Sequence, residues 1–416
     1  MGSATLWRAD DHATLDLPIL AVIYLFFAVR FSPDLLANGP LWKATFALFV
    51  AVSALYILLS GAGKNFSFTK WYIPFFLYSA ASLFWTDFRD NTIEGLNFYI
   101  VAFASFFTLS LLIKNAEDLY LVIKVVMLAF FTCFIDMLTH VNYSALFGTR
   151  LGMDNINENW NANTFGAVLA TFIFLSIFLY KRKKLKYPIS IFAVDFIFLF
   201  FVFLTGSRSA LIMLALSIAL LMLLERKGVL WNRLLIAIAV FIVGYLLIMN
   251  VPALYDVIGY RFDGIATGAS TEGSYIGRSK MIQLGIVWFK QSPILGYGVR
   301  AFTALSPWNT YAHSNYIELL VDLGLIGTGL YYVWALIIAL NRKMIAKSSF
   351  KNYILSVMFT HMVLDFFRVS YNSLMSMFLV FTALILIDLE KNKNENGSEN
   401  DNETLNDRRN LRGPHE

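Results

Sequence analysis

A guanidinium binds anions, and a neutral imidazole accepts a proton from a hydroxyl near neutral pH. This sequence places both kinds of group at the ends of strongly apolar stretches. Arg208 lies in the run Thr205-Gly206-Ser207-Arg208-Ser209, between two apolar segments. A charge so close to hydrocarbon needs a partner. In one reading the Gly/Ser turn and the start of the next helix present N–H groups beside the arginine, a setting that suits phosphate. In the other, Arg208 snorkels to lipid headgroups. Further cations, Arg261, Arg278, Lys280 and Arg300, fall in the stretch 251–314, with a glycine turn, Pro293-Ile294-Leu295-Gly296-Tyr297-Gly298. They meet either anionic lipid or an anionic ligand. His313 follows in Tyr311-Ala312-His313-Ser314-Asn315-Tyr316, as either a general base for an alcohol or a polar cap at a helix start. Glu318 and Asp322, one turn apart, either orient that imidazole, or bind hydroxyl groups, or join neighbouring helices.

Other ionisable residues lie within apolar segments or at their ends: Glu94, Asp136, His140, Asp195, His361 and Asp365. His361 and Asp365, spaced i, i+4, can interact on one helix face. Intramembrane ionisable groups are functional candidates by default. These are scattered over several segments and single out no site. The sequence has no Gly-rich P-loop, no Gly-x-Gly-x-x-Gly, no His-Glu-x-x-His and no Asp-x-Asp pair to hold a divalent metal. Cys133 is the only cysteine, which excludes an intramolecular disulfide and a Cys-based metal cluster.

These groups belong to a chain of 416 residues that is 58% hydrophobic, 16% aromatic and only 15% charged. A soluble protein would carry about 25% charged residues. The apolar residues fall in runs of roughly 17–25, the length that crosses about 30 Å of hydrocarbon. A soluble enzyme, a nucleic-acid reader and a secreted disulfide scaffold are thereby excluded. The expected fold is all-α, a polytopic transmembrane bundle of about twelve spans. Their cores are 17–32, 41–61, 71–86, 92–113, 119–139, 163–180, 188–205, 209–225, 233–250, 315–340, 350–367 and 371–388. The stretch 188–225 is too long for one crossing, and Gly206 with its flanking serines marks a turn.

Lys and Arg in alternate connections set the orientation. One set carries Lys64, Lys70, Lys114, Lys181 to Lys186, Arg226, Lys227, Arg233, Arg342, Lys343, Lys347 and Lys351. The other, counting short loops, carries only Arg89, Arg150, Arg208 and Arg368. The first set is expected in the cytoplasm, with both chain termini. The first sixteen residues lack the form of a signal peptide. A membrane domain is expected over 1–388, and the polar stretch 389–416 is expected to be a disordered cytoplasmic tail. The one long connection, 251–314, is then extracytoplasmic. It carries a helical pattern from Ile276 to Phe289, read as an amphipathic helix near the outer surface or packed on the bundle. Nucleotide donors are absent on that side, so group transfer there would draw on a lipid-linked donor.

Several of these elements occur together in one known order. Thr-Gly-Ser-Arg-Ser-Ala at 205–210 is followed by Gly277-Arg278, Trp288, Pro293, Gly296 and Gly298. Then come His313 with Asn315 and the Leu-Leu-x-x-Leu-Gly-Leu-Ile-Gly run at 319–327. The series resembles the O-antigen ligase and polymerase superfamily of bacterial envelopes over roughly 200–330. The resemblance implies a membrane glycosyltransferase of the bacterial inner membrane, with its site facing the periplasm. It would transfer a glycan from undecaprenyl diphosphate to an acceptor sugar hydroxyl, without metal or other cofactor. It also implies that Arg208 and Arg278 contact the diphosphate and that His313 deprotonates the acceptor. Arg300, Arg261, Asn315 and Glu318 are secondary candidates. Many family members follow the histidine directly with Asn, whereas here Ser314 intervenes before Asn315. The acceptor is either lipid A–core, as for a ligase, or another lipid-linked repeat, as for a polymerase of O-antigen, capsule or exopolysaccharide. Two readings of other classes are a transporter or flippase for a polyprenyl-linked glycan, with its site at the bilayer midplane, and a structural membrane scaffold.

Overall fold

The structure, a computed structural model, describes residues 13–37, 39–142, 151, 161–223, 250 and 273–410. All regular secondary structure among them is helical. The main helices are α1 (Leu17–Phe31), α2 (Gly39–Ser60), α3 (Ser67–Ala81), α4 (Arg89–Leu112), α5 (Ala116–His140), α6 (Ala162–Lys181), α7 (Pro188–Leu204) and α8 (Arg208–Leu223). They continue as α9 (Gly273–Gln291), α10 (Asn315–Tyr331), α11 (Val333–Leu340), α12 (Lys351–Leu364) and α13 (Leu374–Asn410). Helices overlie every expected span except 233–250, of which only Asn250 is among the described residues; the stretch 251–272 with Arg261 lies outside them. Five of them are long and apolar enough to cross a membrane: α2, α4, α5, α6 and α10 with its continuation α11.

Local chemistry sets the ends. The Asn115 and Asn161 side chains accept the free N–H groups of Asp118 and of Asn163 and Thr164, capping α5 and α6. The expected turn after α7 is present: Gly206 takes φ 56°, and α8 starts at Arg208. Both α7 and α8 pack on α6. At the centre, α13 is buried from Leu374 to Ile387, and Phe381 packs edge-on against Phe68 of α3 and stacks on Phe106 of α4.

The lysine-rich connections gather at one end of the bundle. There Lys114 donates to the Ser60 carbonyl at 2.6 Å, Lys184 pairs with Glu117, and the Arg182 guanidinium sits 4.4 Å above the Phe350 ring. Lys181 donates to the Leu221 carbonyl at that same end, near the end of α8. The ring of Tyr353, at the start of α12, lies 4.1 Å from Phe178, near the end of α6. So α8 and α12, which pack side by side, run in opposite directions. The start of α8, with Arg208, and the end of α12 therefore share the opposite end.

Two expectations need correction, the continuous helix over 315–340 and the pairing of His361 with Asp365. The segment 315–340 is not one continuous helix: it breaks at Gly324 and again at Tyr332. Beyond Asp388 the helix of α13 runs on to Asn410. The first residues of that extension touch the bundle, Glu390 accepting from Ser348 and Asn392 donating to the Lys64 carbonyl. His361 and Asp365 find separate partners, the Val357 carbonyl for the first and the Tyr332 hydroxyl for the second.

Candidate functional site

The site is founded on the break in α10. Gly324 adopts φ 63°, so the helix ladder is interrupted and backbone groups on both sides lose their partners. The glycine turn fills the gap. Tyr297 and Gly298 donate to the carbonyls of Val321 and Asp322 at 3.0 and 2.7 Å, while Leu325 and Ile326 donate to those of Pro293 and Ile294 at 2.9 and 3.4 Å. The two strands of backbone approach too closely for side chains. A Cβ on Gly324 would fall on the Ile294 carbonyl, and one on Gly296 would lie 2.5 Å from that of Asp322. Irregular backbone at membrane depth survives only when protein buries and satisfies it, and here each side satisfies the other.

Two buried carboxylates on α10 then fix the loops. Asp322 accepts the backbone N–H groups of Arg300 and Phe302 at 2.8 and 2.7 Å and the Tyr371 hydroxyl at 2.9 Å. Glu318, 1% exposed, accepts the N–H of Ala312 at 2.6 Å and lies 3.4 Å from the Tyr371 hydroxyl. Both therefore hold backbone in place.

His313 stands on this support. Its backbone is left-handed, φ 56°, a conformation uncommon for a side-chain-bearing residue, with a cost on the order of 1 kcal/mol. Bonds on either side hold it there. Ala312 is tied to Glu318, Asn315 donates its N–H to the Asp365 carbonyl at 2.8 Å, and the Ser314 hydroxyl donates to the same carbonyl at 3.3 Å. The imidazole lies 4.3 Å from the Tyr311 ring.

Helix α9 brings Arg278 to it. The helix presses on α10 at Gly285, where a Cβ would collide with Ile317. Met281, one turn after Arg278, shares an apolar cluster with Phe302, Ala312 and Val321. The cluster thus joins the turn that follows Arg278 to the residue that precedes His313. Burial, and after it the Arg278 charge, lowers the imidazole from 6.5 to about 4. Helix α9 is thus packed on α10.

Arg208 is built into a turn of its own. The Thr205 hydroxyl accepts from the N–H of Ser207, and the Ser207 hydroxyl from that of Ala210 at 3.3 Å, while Gly166 of α6 admits the turn without room for a Cβ. The α8–α12 pairing places this turn at the end of the bundle where the Asp365 carbonyl meets Ser314 and Asn315. Arg300 has a different use: its side chain pairs with Glu94 of α4. The Asn315 side chain bonds to the segment after α12. Its amide donates to Asp365 at 3.1 Å and accepts from the N–H groups of Ser370 and Tyr371 at 2.9 and 3.0 Å. No sequence pattern marks Tyr371, which bridges both carboxylates, or sets Arg368 apart from other loop charges.

Residues 193–332, about a third of the chain, match the family model described as O-antigen ligase. No curated protein matches the chain. The matched stretch holds Arg208, Arg278, His313, the glycine turn and the broken helix. Over that stretch the chain is similar to the O-antigen ligase family.

Proposed function

We propose that this chain transfers a glycan from undecaprenyl diphosphate to an acceptor sugar hydroxyl at the periplasmic face of the bacterial inner membrane. His313 is the base, and Arg208 and Arg278 hold the diphosphate. The observation that carries this reading is the meeting of a half-buried imidazole, on left-handed backbone, with the charge of Arg278. The acceptor oxygen attacks the anomeric carbon as its proton passes to His313. The bond from that carbon to the diphosphate oxygen breaks, and undecaprenyl diphosphate leaves with the electron pair, its charge stabilised by guanidinium groups already in place. No metal or other cofactor enters the scheme.

The depressed basicity of His313 belongs to the free protein. A diphosphate bound at Arg278 offsets the positive charge that depresses the imidazole and adds negative charge beside it, so the base strengthens when donor is present. The lysine-rich end then faces the cytoplasm with both termini, about twelve spans make up the membrane domain 1–388, and 389–416 forms its cytoplasmic tail.

Reconstitution with an undecaprenyl-diphosphate oligosaccharide and candidate acceptors tests the reading. A single capped acceptor, lipid A–core included, identifies a ligase. A ladder of repeats identifies a polymerase, and the absence of any covalent product favours transport. His313→Ala, inserted normally, should make no product. Wild-type-like transfer by that variant removes the base assignment.

A further inference from the structure

Among the ionisable groups near His313, Arg368 has the least explained surroundings. It lies on the loop between α12 and α13, outside the stretch that matches the family model. Five hydrogen bonds stitch that loop to the residues directly after His313: Asn315 N–H and Ser314 Oγ to the Asp365 carbonyl, Asn315 Nδ2 to Asp365 Oδ2, and Ser370 and Tyr371 N–H to Asn315 Oδ1. The Arg368 guanidinium, largely shielded from solvent, lies within electrostatic reach of Tyr311, whose ring packs against His313, and of Asp365. It has five N–H donors. Among the described residues these find one hydrogen bond, a 3.5 Å approach to Ser373 Oγ, and no carboxylate at ion-pair distance. A guanidinium so placed is costly unless an anion meets it. The antiparallel pairing of α8 with α12 brings Arg208 to the same end of the bundle.

Resting on the reading of the His313 site as a diphosphate site, we propose that Arg368 is a third guanidinium of that site and donates to phosphate oxygens of the lipid-linked diphosphate. Arg278 acts from α9 and Arg208 from the start of α8, and Arg368 acts from the loop that joins α12 to α13. The rival role is structural. Asp365 Oδ1 is buried without a hydrogen-bond partner, and Arg368 would then serve only to offset that carboxylate.

The test is binding of undecaprenyl diphosphate, without glycan, to the full chain in nanodiscs of phosphatidylcholine. No anionic headgroup competes there, and no turnover is needed. Arg368→Gln should weaken binding about tenfold or more, the loss of charge-assisted hydrogen bonds, while Arg368→Lys recovers part of it. Both variants should elute and melt like the wild type; if Arg368→Gln does not, Arg368→Lys carries the comparison, with a smaller loss expected. The same measurements in an Asp365→Asn background separate the two roles. A persistent loss there supports the phosphate contact. A loss that vanishes with the carboxylate overturns it, as does unchanged affinity in the single variants. A protein that binds undecaprenyl diphosphate through Arg368 yet transfers no glycan would sink the proposed reaction and leave this site standing.

Discussion

Glu318 accepts the backbone N–H of Ala312 at 2.6 Å, so a buried carboxylate on α10 holds the residue directly before His313. Position, more than proton transfer, is what Glu318 supplies. Glu318→Gln keeps an oxygen acceptor and should retain most activity. Glu318→Leu should lower kcat roughly tenfold to a hundredfold, the scale of a small misplacement of a catalytic group, with KM for the donor little changed. Initial rates against donor concentration check this; a loss confined to KM would assign Glu318 to substrate binding instead.

With His313 as the proposed base, the acid limb of activity follows from its imidazole. A base works when neutral, and a lowered pKa keeps it neutral as pH falls. In the free protein the imidazole sits near 4, so kcat/KM should hold until about that pH. The limb of kcat, which reports the donor complex, should lie at higher pH because bound diphosphate raises the imidazole. Arg278→Gln removes the second cause of the depression and should move the kcat/KM limb upward. Burial, the larger cause, remains and keeps it below 6.5. A limb unmoved by that substitution would show that Arg278 does not act on His313.

Lysine in place of Arg208 or Arg278 keeps the charge and loses the planar fork that grips two phosphate oxygens at once. Each substitution should cut kcat/KM by about tenfold or more, while the variants insert and melt normally. A Lys variant with wild-type rates would remove that position from the diphosphate site.

Alanine at Gly324 meets two obstacles, the left-handed backbone and the Ile294 carbonyl where the new carbon would sit. The backbone alone costs about 1–2 kcal/mol. Gly324→Ala and Gly296→Ala should both lower the apparent melting temperature in detergent by several degrees and reduce folded yield. Alanine at Gly277, where nothing lies within 4 Å of a new Cβ, should leave melting unchanged.

Much of the helix pattern could be read in the sequence because hydrocarbon demands long apolar runs, and their ends follow from composition. Arg208, Arg278 and His313 stood out for a related reason, as charged or proton-carrying groups beside apolar segments. The break at Gly324 was hidden inside such a run. Its cause lies some 30 residues upstream in the glycine turn, and no local pattern announces a pairing across that distance. Glu318 and Asp322 were visible as a pair one turn apart, but their partners are backbone amides, which every residue except proline carries. Arg368 looked like one loop charge among several, since its neighbour Tyr311 is more than fifty residues away in the chain.

The interlock of 293–298 with α10 also governs how bulky molecules gain entry. Lifting that segment would strand four amide groups, each at about 1–3 kcal/mol, so the interlock is no swinging lid. The substrates of the proposed reaction would then have to enter without lifting it, and the amides of Tyr297 and Gly298 should be among the slowest of the described residues to exchange with heavy water.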